Sequence, residues 1–240
     1  MSQNGSPSFL DGLPPWAARL VRAVRAKQSN TFVIHGIPAD LVPVRGKDGL
    51  RFVSLDDFLL SELFSGWPSI VTYNRAEGLG FATPEARKHF HDRLRAYDAV
   101  HGSGWAEGSL PRDAPNCCAL LDSYFRHCAA LSPARPIVLL LPFAETLVPA
   151  NEVASRTPED RAVLVYLRKW SQDPVLLAKN IVIVMVTETL SELDPKLIRS
   201  HATQEVEIVR PDAAERRSYL EAVRAPEWYE QKSELNAARL

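Results

Sequence analysis

Two almost wholly apolar segments constrain the fold of this chain more than any other feature of its sequence. They are PIVLLL at residues 136–141 and NIVIVMV at Asn180–Val186. A strand that is apolar on both faces must be covered on both faces, which is typical of a parallel sheet with helices on either side. Amphipathic helix patterns alternate with shorter strand patterns along the rest of the chain. The sequence therefore predicts an α/β fold with a parallel five-stranded sheet flanked by helices.

The predicted elements divide the chain into three parts. Residues 1–29 are expected to form a tail and one helix, residues 30–225 an α/β core, and residues 226–240 the truncated start of a helical lid. The shorter strands of the core are predicted at Thr31–His35, Ser69–Asn74 and Glu205–Val209. The Gly- and Pro-rich segment 36–49 is predicted to be a long loop.

Composition excludes several classes of protein. The formal net charge is -1, so no overall basic field favours nucleic acid as a partner. No apolar run approaches the ~18 residues of a membrane span, and the N-terminus has no apolar signal core. We therefore expect a cytoplasmic protein with no membrane partner. The cysteines form neither a disulfide framework nor a C-x-x-C pair and are expected to be buried apolar residues; they are Cys117, Cys118 and Cys128.

Ligands of open parallel α/β sheets bind beyond the carboxyl ends of the strands, so the first strand tip is a candidate phosphate site. A phosphate loop G-x-x-x-x-G-K-[ST] that began at Gly36 would need glycine, lysine and a hydroxyl residue at its last positions. Those positions hold Leu41, Val42 and Pro43. Gly46-Lys47 comes later, but Asp48 follows it. Lys47 is therefore either an unconventional phosphate ligand or an ordinary loop lysine.

The third strand tip lies within RPIVLLLPFAETLVP, residues Arg135–Pro149. Magnesium sites use one or two carboxylates, but the residue directly after this apolar strand is Pro142, which cannot bind a metal ion. The nearest acid is Glu145. It is either a solvent-facing acid at a helix start or an acid that polarises water.

The stretch NIVIVMVTETLSELDPKLIRSHATQEVEIVRPDAAERRSYLEAV, which begins at Asn180, resembles the second half of AAA+ ATPase core domains. The resemblance rests on an apolar strand, a polar residue at its tip, an L-D-P-x-L-x-R segment, a further strand and P-D-x-x-x-R. The matching residues are Leu193, Asp194, Pro195, Leu197, Arg199, Pro211, Asp212 and Arg216. The family implies a three-layer P-loop NTPase fold, with the strand at 136–141 in the Walker B position.

A narrower resemblance connects the chain to a bacterial group of AAA-type ATPases. The matching motifs are Phe143-Ala144-Glu145 after the apolar strand and Trp170-Ser171-Gln172-Asp173-Pro174 at the end of a helix. In such proteins a domain of this kind can precede a second domain with an intact phosphate loop. The resemblance thus implies an N-terminal, degenerate AAA module.

The same resemblance implies roles for individual residues. Thr187 occupies the sensor position, where it would orient water near a γ-phosphate, unless it only caps the strand end. Arg199 matches an arginine finger that would reach a neighbouring subunit's nucleotide, unless it only forms a surface ion pair. Glu145 lies near the Walker B acid, whose metal-binding aspartate is replaced by Pro142, and the Walker A loop is missing.

Two hypotheses for function follow. The first is a degenerate AAA+ module without a cofactor, which acts in assembly or partner binding through self-association, AAA+ subunits or another protein. The second is an active ATPase that binds ATP and magnesium through an unconventional phosphate loop between Gly36 and Gly49, with Lys47 as a ligand. Whether the chain is an enzyme stays open between them. A small-molecule enzyme based on histidine and cysteine is a third class, for which His35 is the only candidate at a strand tip.

Overall fold

In the computed structural model, which describes residues 12–46, 49–150 and 155–223, helices separate the five strands that the sequence predicts. The strands are β1 (Thr31–Gly36), β2 (Val42–Gly46), β3 (Gly49–Val53), β4 (Ser69–Asn74), β5 (Gly78–Phe81), β6 (Ile137–Leu141), β7 (Ile181–Val186) and β8 (Thr203–Ile208). The helices are α1 (Pro15–Arg25), α2 (Leu55–Asp57, continued as a π-helix over Phe58–Leu63), α3 (Pro84–His101), α4 (Ala114–Ala130), α5 (Pro158–Ser171), α6 (Pro174–Ala178), α7 (Pro195–Ile198) and α8 (Ala213–Val223). The predicted lid at 226–240 lies outside the described residues.

The central sheet has the strand order β5-β4-β6-β7-β1-β8. The strands β4, β6, β7, β1 and β8 are parallel, which confirms the predicted parallel sheet, and β5 adds an antiparallel edge strand beside β4. In a parallel sheet all carboxyl ends lie at one edge. The connections after β1, β4, β6 and β7 therefore meet there.

Apolar side chains cover both faces of this sheet, as the two apolar segments require. Val33, Leu139 and Ile183 pack with α3, α4 and α5 on one face. Phe32 and Val184 pack with α1 and α2 on the other face. All five side chains are fully buried or nearly so. The three-layer arrangement thus follows directly from strands with no polar face.

The prediction of a long loop over 36–49 is wrong for much of that segment. Val42–Gly46 and Gly49–Val53 pair as an antiparallel hairpin, with Val42 opposite Val53. Val42 and Val44 alternate with more exposed residues and are buried against α1 and α2. The segment contains proline and glycine, which predict loops, so its short alternation of buried and exposed residues did not indicate strands. The strand GLGF at β5 was missed for the same reason.

No helix among the described residues is both long enough and apolar enough to cross a membrane.

Candidate functional site: an acidic cleft at the carboxyl edge of the sheet

A cleft of about 540 Å³ opens beyond the carboxyl ends of β1, β6 and β7. It is formed by the connections that follow these strands and by the first turn of α2. Its lining residues are Pro38, Ala39, Ser54, Leu55, Asp56, Pro142, Phe143, Glu145, Val186, Thr187, Glu188 and Glu192. The sheet therefore brings Glu145 and Thr187, two of the residues predicted from sequence, into one cleft.

Gly36 ends β1 in a backbone conformation that favours glycine, with φ at +108°. Its amide donates a hydrogen bond to the carbonyl of Glu188 (3.1 Å). A Cβ at this position would lie 2.3 Å from the carbonyl oxygen of Ile208 on the neighbouring strand β8. Close packing against β8 thus explains why residue 36 is a glycine. The hydrogen bond to Glu188 already uses its N–H group. Lys47, the other predicted phosphate ligand, lies outside the described residues.

The helix start that faces the cleft carries its own negative charge. Ser54 is the N-cap of α2, and its hydroxyl accepts a hydrogen bond from the amide of Asp57 (3.1 Å). Asp56 and Asp57 fill the first turn, where a carboxylate interacts favourably with the helix dipole. Partial burial raises the pKa of Asp56, and the charges of Asp57 and Glu77 raise it further. Asp56 also lines the cleft, so its charge opposes an incoming phosphate.

The raised pKa of Asp56 predicts a pH-dependent change in stability. Because its folded-state pKa lies above the unfolded value of about 3.9, ionisation of Asp56 disfavours the folded state, and stability is lost as pH rises through the folded pKa. We expect Asp56→Asn to gain free energy of unfolding relative to the parent between about pH 4 and 7. The gain should stay below about 1 kcal/mol because the side chain is exposed enough for water to screen its charge. Urea unfolding at a series of pH values measures it, and a difference that shrinks as pH rises would contradict this account.

Glu145 and Thr187 occupy different environments within the cleft. Glu145 lies in the 3₁₀ turn Ala144–Thr146, and its Oε2 atom is buried without a hydrogen-bond partner among the described residues. Thr187 is buried, and its hydroxyl donates to the carbonyl of Thr189 over 3.4 Å, which is long for an O–H···O bond. Both residues line the cleft, although the Oε2 atom of Glu145 and the Thr187 side chain are buried.

Phe143 forms a ridge between this cleft and a second one of about 470 Å³ that extends toward the end of β4. Its backbone is left-handed (φ 56°), which is uncommon for a bulky residue, and its side chain is 64% exposed. The Thr146 hydroxyl and amide both donate to the carbonyl of Phe143 and hold this turn. An exposed aromatic ring at such a position is a feature of functional surfaces rather than of cores.

Acidic side chains predominate over both clefts. The carboxylates that line them are Asp56, Glu77, Glu145, Glu188 and Glu192. Among the described lining residues the cation is Arg75, which pairs with Asp160 at 3.0 Å. These carboxylates repel an anionic ligand unless a cation accompanies it. Arg199 is exposed at the end of α7 and does not line either cleft.

Comparison with known families identifies the domain. Residues 6–209 match the family model described as "AAA+ chaperone, N-terminal Rossmann-like domain". The chain belongs to this AAA+ chaperone family. The match covers all the strands of the central sheet and confirms the AAA+ resemblance seen in the L-D-P-x-L-x-R segment.

No curated protein matches this AAA+ chaperone domain. Among solved structures, it is similar to a chain in the structure of an E. coli MS115-1 HORMA:CdnC:Trip13 complex, with 16% sequence identity and a TM-score of 0.47. The similarity covers 94% of this chain and 60% of that chain, so this chain spans less than two thirds of that protein's length.

The L-D-P segment of this AAA+ chaperone domain has a clear structural role. Asp194 is buried and forms an ion pair with Arg156, whose side chain is also buried. Its Oδ1 atom accepts from the amide of Lys196 (2.8 Å) and caps α7. Its own amide donates to the carbonyl of Val148 (2.9 Å). Asp194 thus fastens the segment after β7 to the segment after β6, behind the acidic cleft.

The W-x-x-D-P motif is likewise a packing and capping device. Trp170 is fully buried, and its indole N–H donates to Asp122 on α4 (2.8 Å). Asp173 caps α6 by accepting from the amides of Val175 and Leu176, and it pairs with Arg126. The motif therefore joins α4, α5 and α6, and its place in the family pattern does not require contact with a ligand.

The cysteines are buried and free, as the sequence predicts. Burial raises the pKa of Cys117 to about 12 and that of Cys128 to about 11, and it raises the pKa of Cys118 as well. Thiols with such pKa values stay protonated at neutral pH and are poor nucleophiles. His35 does not line either cleft at the carboxyl edge. A catalytic pair of histidine and cysteine is therefore not favoured by the structure.

Proposed function

We propose that this AAA+ chaperone domain has kept the fold of an ATPase core but acts in assembly or partner binding instead of hydrolysing ATP. The observation that carries the proposal is the acidic lining of the cleft, where the phosphates and metal of a nucleotide would have to lie. Phosphoryl transfer depends on positioned cations and backbone amides around the phosphates. The cleft instead presents carboxylates from α2 and from the connections after β6 and β7.

The local backbone supports the same proposal. The hairpin β2–β3 lies between β1 and α2, and α2 begins with two carboxylates. The amide of Gly36 donates a hydrogen bond to the carbonyl of Glu188. Pro142 follows β6 directly, so this strand tip offers no side-chain ligand for magnesium. The alternative, an ATPase with an unconventional loop around Lys47, would need that lysine to offset several carboxylates at once.

An exposed aromatic side chain at the carboxyl edge of the sheet supports partner binding. Phe143 presents a largely exposed ring between two clefts, and aromatic anchors contribute strongly to protein interfaces. Glu145 lines the first cleft, and its buried Oε2 atom has no hydrogen-bond partner among the described residues. The partners would be AAA+ subunits, a second copy of this chain or another protein. Arg199 is exposed and therefore accessible to such a neighbour.

A phosphate-release assay with ATP and magnesium tests the proposal. We expect no turnover above the rate of a buffer blank, and no effect of Glu145→Gln or Lys47→Ala. Glu205→Gln, which removes an exposed carboxylate on β8, serves as the matched control. Turnover that disappears with Glu145→Gln but persists with Glu205→Gln would reject the proposal. Loss of turnover with Lys47→Ala would support the unconventional phosphate loop instead.

A further inference from the structure

A small basic cavity lies at the opposite edge of the sheet, near the amino ends of the strands. It has a volume of about 220 Å³ and lies between α3 and the connection from α4 to β6. Its lining residues are His89, Arg93, Cys128, Leu131, Ser132, Pro133 and Arg135. This volume is below the ~300–1,000 Å³ of sites for drug-sized ligands, so it suits a single small group.

The two guanidinium groups of this cavity have no carboxylate partner in the part of the chain that the structure describes. Neither Arg93 nor Arg135 forms an ion pair within residues 12–46, 49–150 and 155–223. The nearby acid on α3, Asp92, pairs with Arg95 instead (3.0 Å). Two unpaired arginines on one cavity create a local positive potential without a counter-ion from the described part of the chain.

His89 connects Arg93 to the protein interior by hydrogen bonds. Arg93 Nε donates to His89 Nε2 (3.4 Å), so Nδ1 carries the ring proton and donates to the hydroxyl of Tyr124 (3.2 Å). That hydroxyl lies 2.7 Å from Ser69 Oγ at the start of β4. Burial lowers the pKa of His89, and the charges of Arg93 and Arg135 lower it further, while Asp92 opposes them. The charges of both guanidinium groups therefore lower the pKa of the same imidazole.

We propose that this cavity binds a phosphate group through Arg93 and Arg135. Arginine recognises phosphate by charge-assisted, bidentate hydrogen bonds. A phosphomonoester carries about −1.5 to −2 charges at pH 7, which matches two guanidinium groups, whereas one carboxylate would leave an excess positive charge. The site is remote from the acidic cleft and is independent of the function proposed for that cleft.

Binding of inorganic phosphate, followed through the histidine resonances of the 240-residue chain by NMR, tests this site. Bound phosphate places negative charge beside His89 and favours its imidazolium, so we expect the pKa of His89 to rise at constant ionic strength. His91 is the internal control because it lies on the same helix beside Arg87 and Arg95. Equal shifts of His89 and His91 would indicate non-specific anion binding and would overturn the proposal.

Variants of the two arginines test whether these side chains bind the phosphate. Arg93→Gln and Arg135→Gln should each weaken phosphate binding by at least about tenfold, while Arg95→Gln should change it less than about twofold. The variants should keep the circular dichroism spectrum of the parent because these side chains are at least partly exposed. Phosphate binding that persists in the Arg93→Gln/Arg135→Gln double variant would reject the assignment.

A phosphoserine peptide and its unphosphorylated form distinguish the source of the phosphate group. Tighter binding of the phosphopeptide than of inorganic phosphate would indicate a phosphorylated protein, and equal binding would indicate a free phosphate or small phosphomonoester. Equal binding of the phosphorylated and unphosphorylated peptides would contradict recognition of phosphate.

Discussion

Gly36→Ala should lower the free energy of unfolding by about 3 kcal/mol or more, whether or not a nucleotide is present. The new Cβ would lie 2.3 Å from the carbonyl oxygen of Ile208, a backbone atom that cannot move without disturbing the pairing of β1 with β8. The φ of +108° adds conformational strain for any residue with a Cβ. Urea unfolding followed by circular dichroism measures the change.

Gly49→Ala is a matched control for this substitution. Gly49 has almost the same φ (+112°), but a Cβ there would meet nothing within 4 Å. Its replacement should cost only the conformational strain of about 1–2 kcal/mol. The difference between the two variants therefore measures the close approach of Gly36 to β8. Equal losses would contradict the packing explanation, and a Gly36→Ala variant of parental stability would return Gly36 to the candidates for phosphate binding.

Asp194→Ala should destabilise the domain by about 3–5 kcal/mol, because it removes the carboxylate from a buried ion pair with Arg156. The side chains of Arg156 and Asp194 are 8% and 2% exposed, so water cannot replace the lost carboxylate. The same substitution removes the cap of α7 at the amide of Lys196. The expected loss is a large fraction of the stability of a typical domain.

Asp92→Ala provides the comparison for this variant. Asp92 pairs with Arg95 on the surface of α3, with both side chains largely exposed, and such a pair contributes about 0–1 kcal/mol. Both variants remove one aspartate from an ion pair with arginine, and they differ in burial. If Asp194→Ala and Asp92→Ala lost similar stability, the L-D-P segment would not act as the structural fastening inferred here, and a role in ligand binding would become the better explanation for Asp194.

The sequence was sufficient to predict the part of the fold that depends on long apolar patterns. The segments that became β6 and β7 are apolar throughout, and only a sheet covered on both faces accommodates them. The hairpin β2–β3 and the edge strand β5 were missed because they are short and contain proline or glycine, which predict loops. Their strand conformation depends on pairing partners that no local pattern reveals.

The candidate site could be predicted only in part for a similar reason. Strand tips are visible in the sequence, so Glu145 and Thr187 were placed at the carboxyl edge, where the structure brings them into one cleft. The contribution of Asp56 could not be predicted, because it reaches the cleft from a helix that follows a misassigned segment. The hydrogen bond between Gly36 and Glu188 joins residues more than 150 positions apart and depends on the order of the strands.

The match of Arg199 to a family motif does not by itself reveal the role of this residue. The ordered residues around it match the AAA+ pattern, and burial in the structure explains three of them, Leu193, Asp194 and Leu197. Arg199 itself is exposed and remote from the clefts of its own chain. An arginine that acts on a neighbour's nucleotide would look the same in an isolated chain as an ordinary surface residue, so its role depends on the assembly.

Calorimetric titration of the chain with ATP and magnesium tests the central claim most directly, because the acidic cleft should not retain a nucleotide. The titration is performed on the parent and on the Arg93→Gln/Arg135→Gln variant, so that phosphate binding at the opposite edge cannot be mistaken for binding at the cleft. We predict no saturable binding at the cleft up to about 1 mM ATP. Micromolar binding that survives in the Arg93→Gln/Arg135→Gln variant and is weakened by Glu145→Gln would contradict the account.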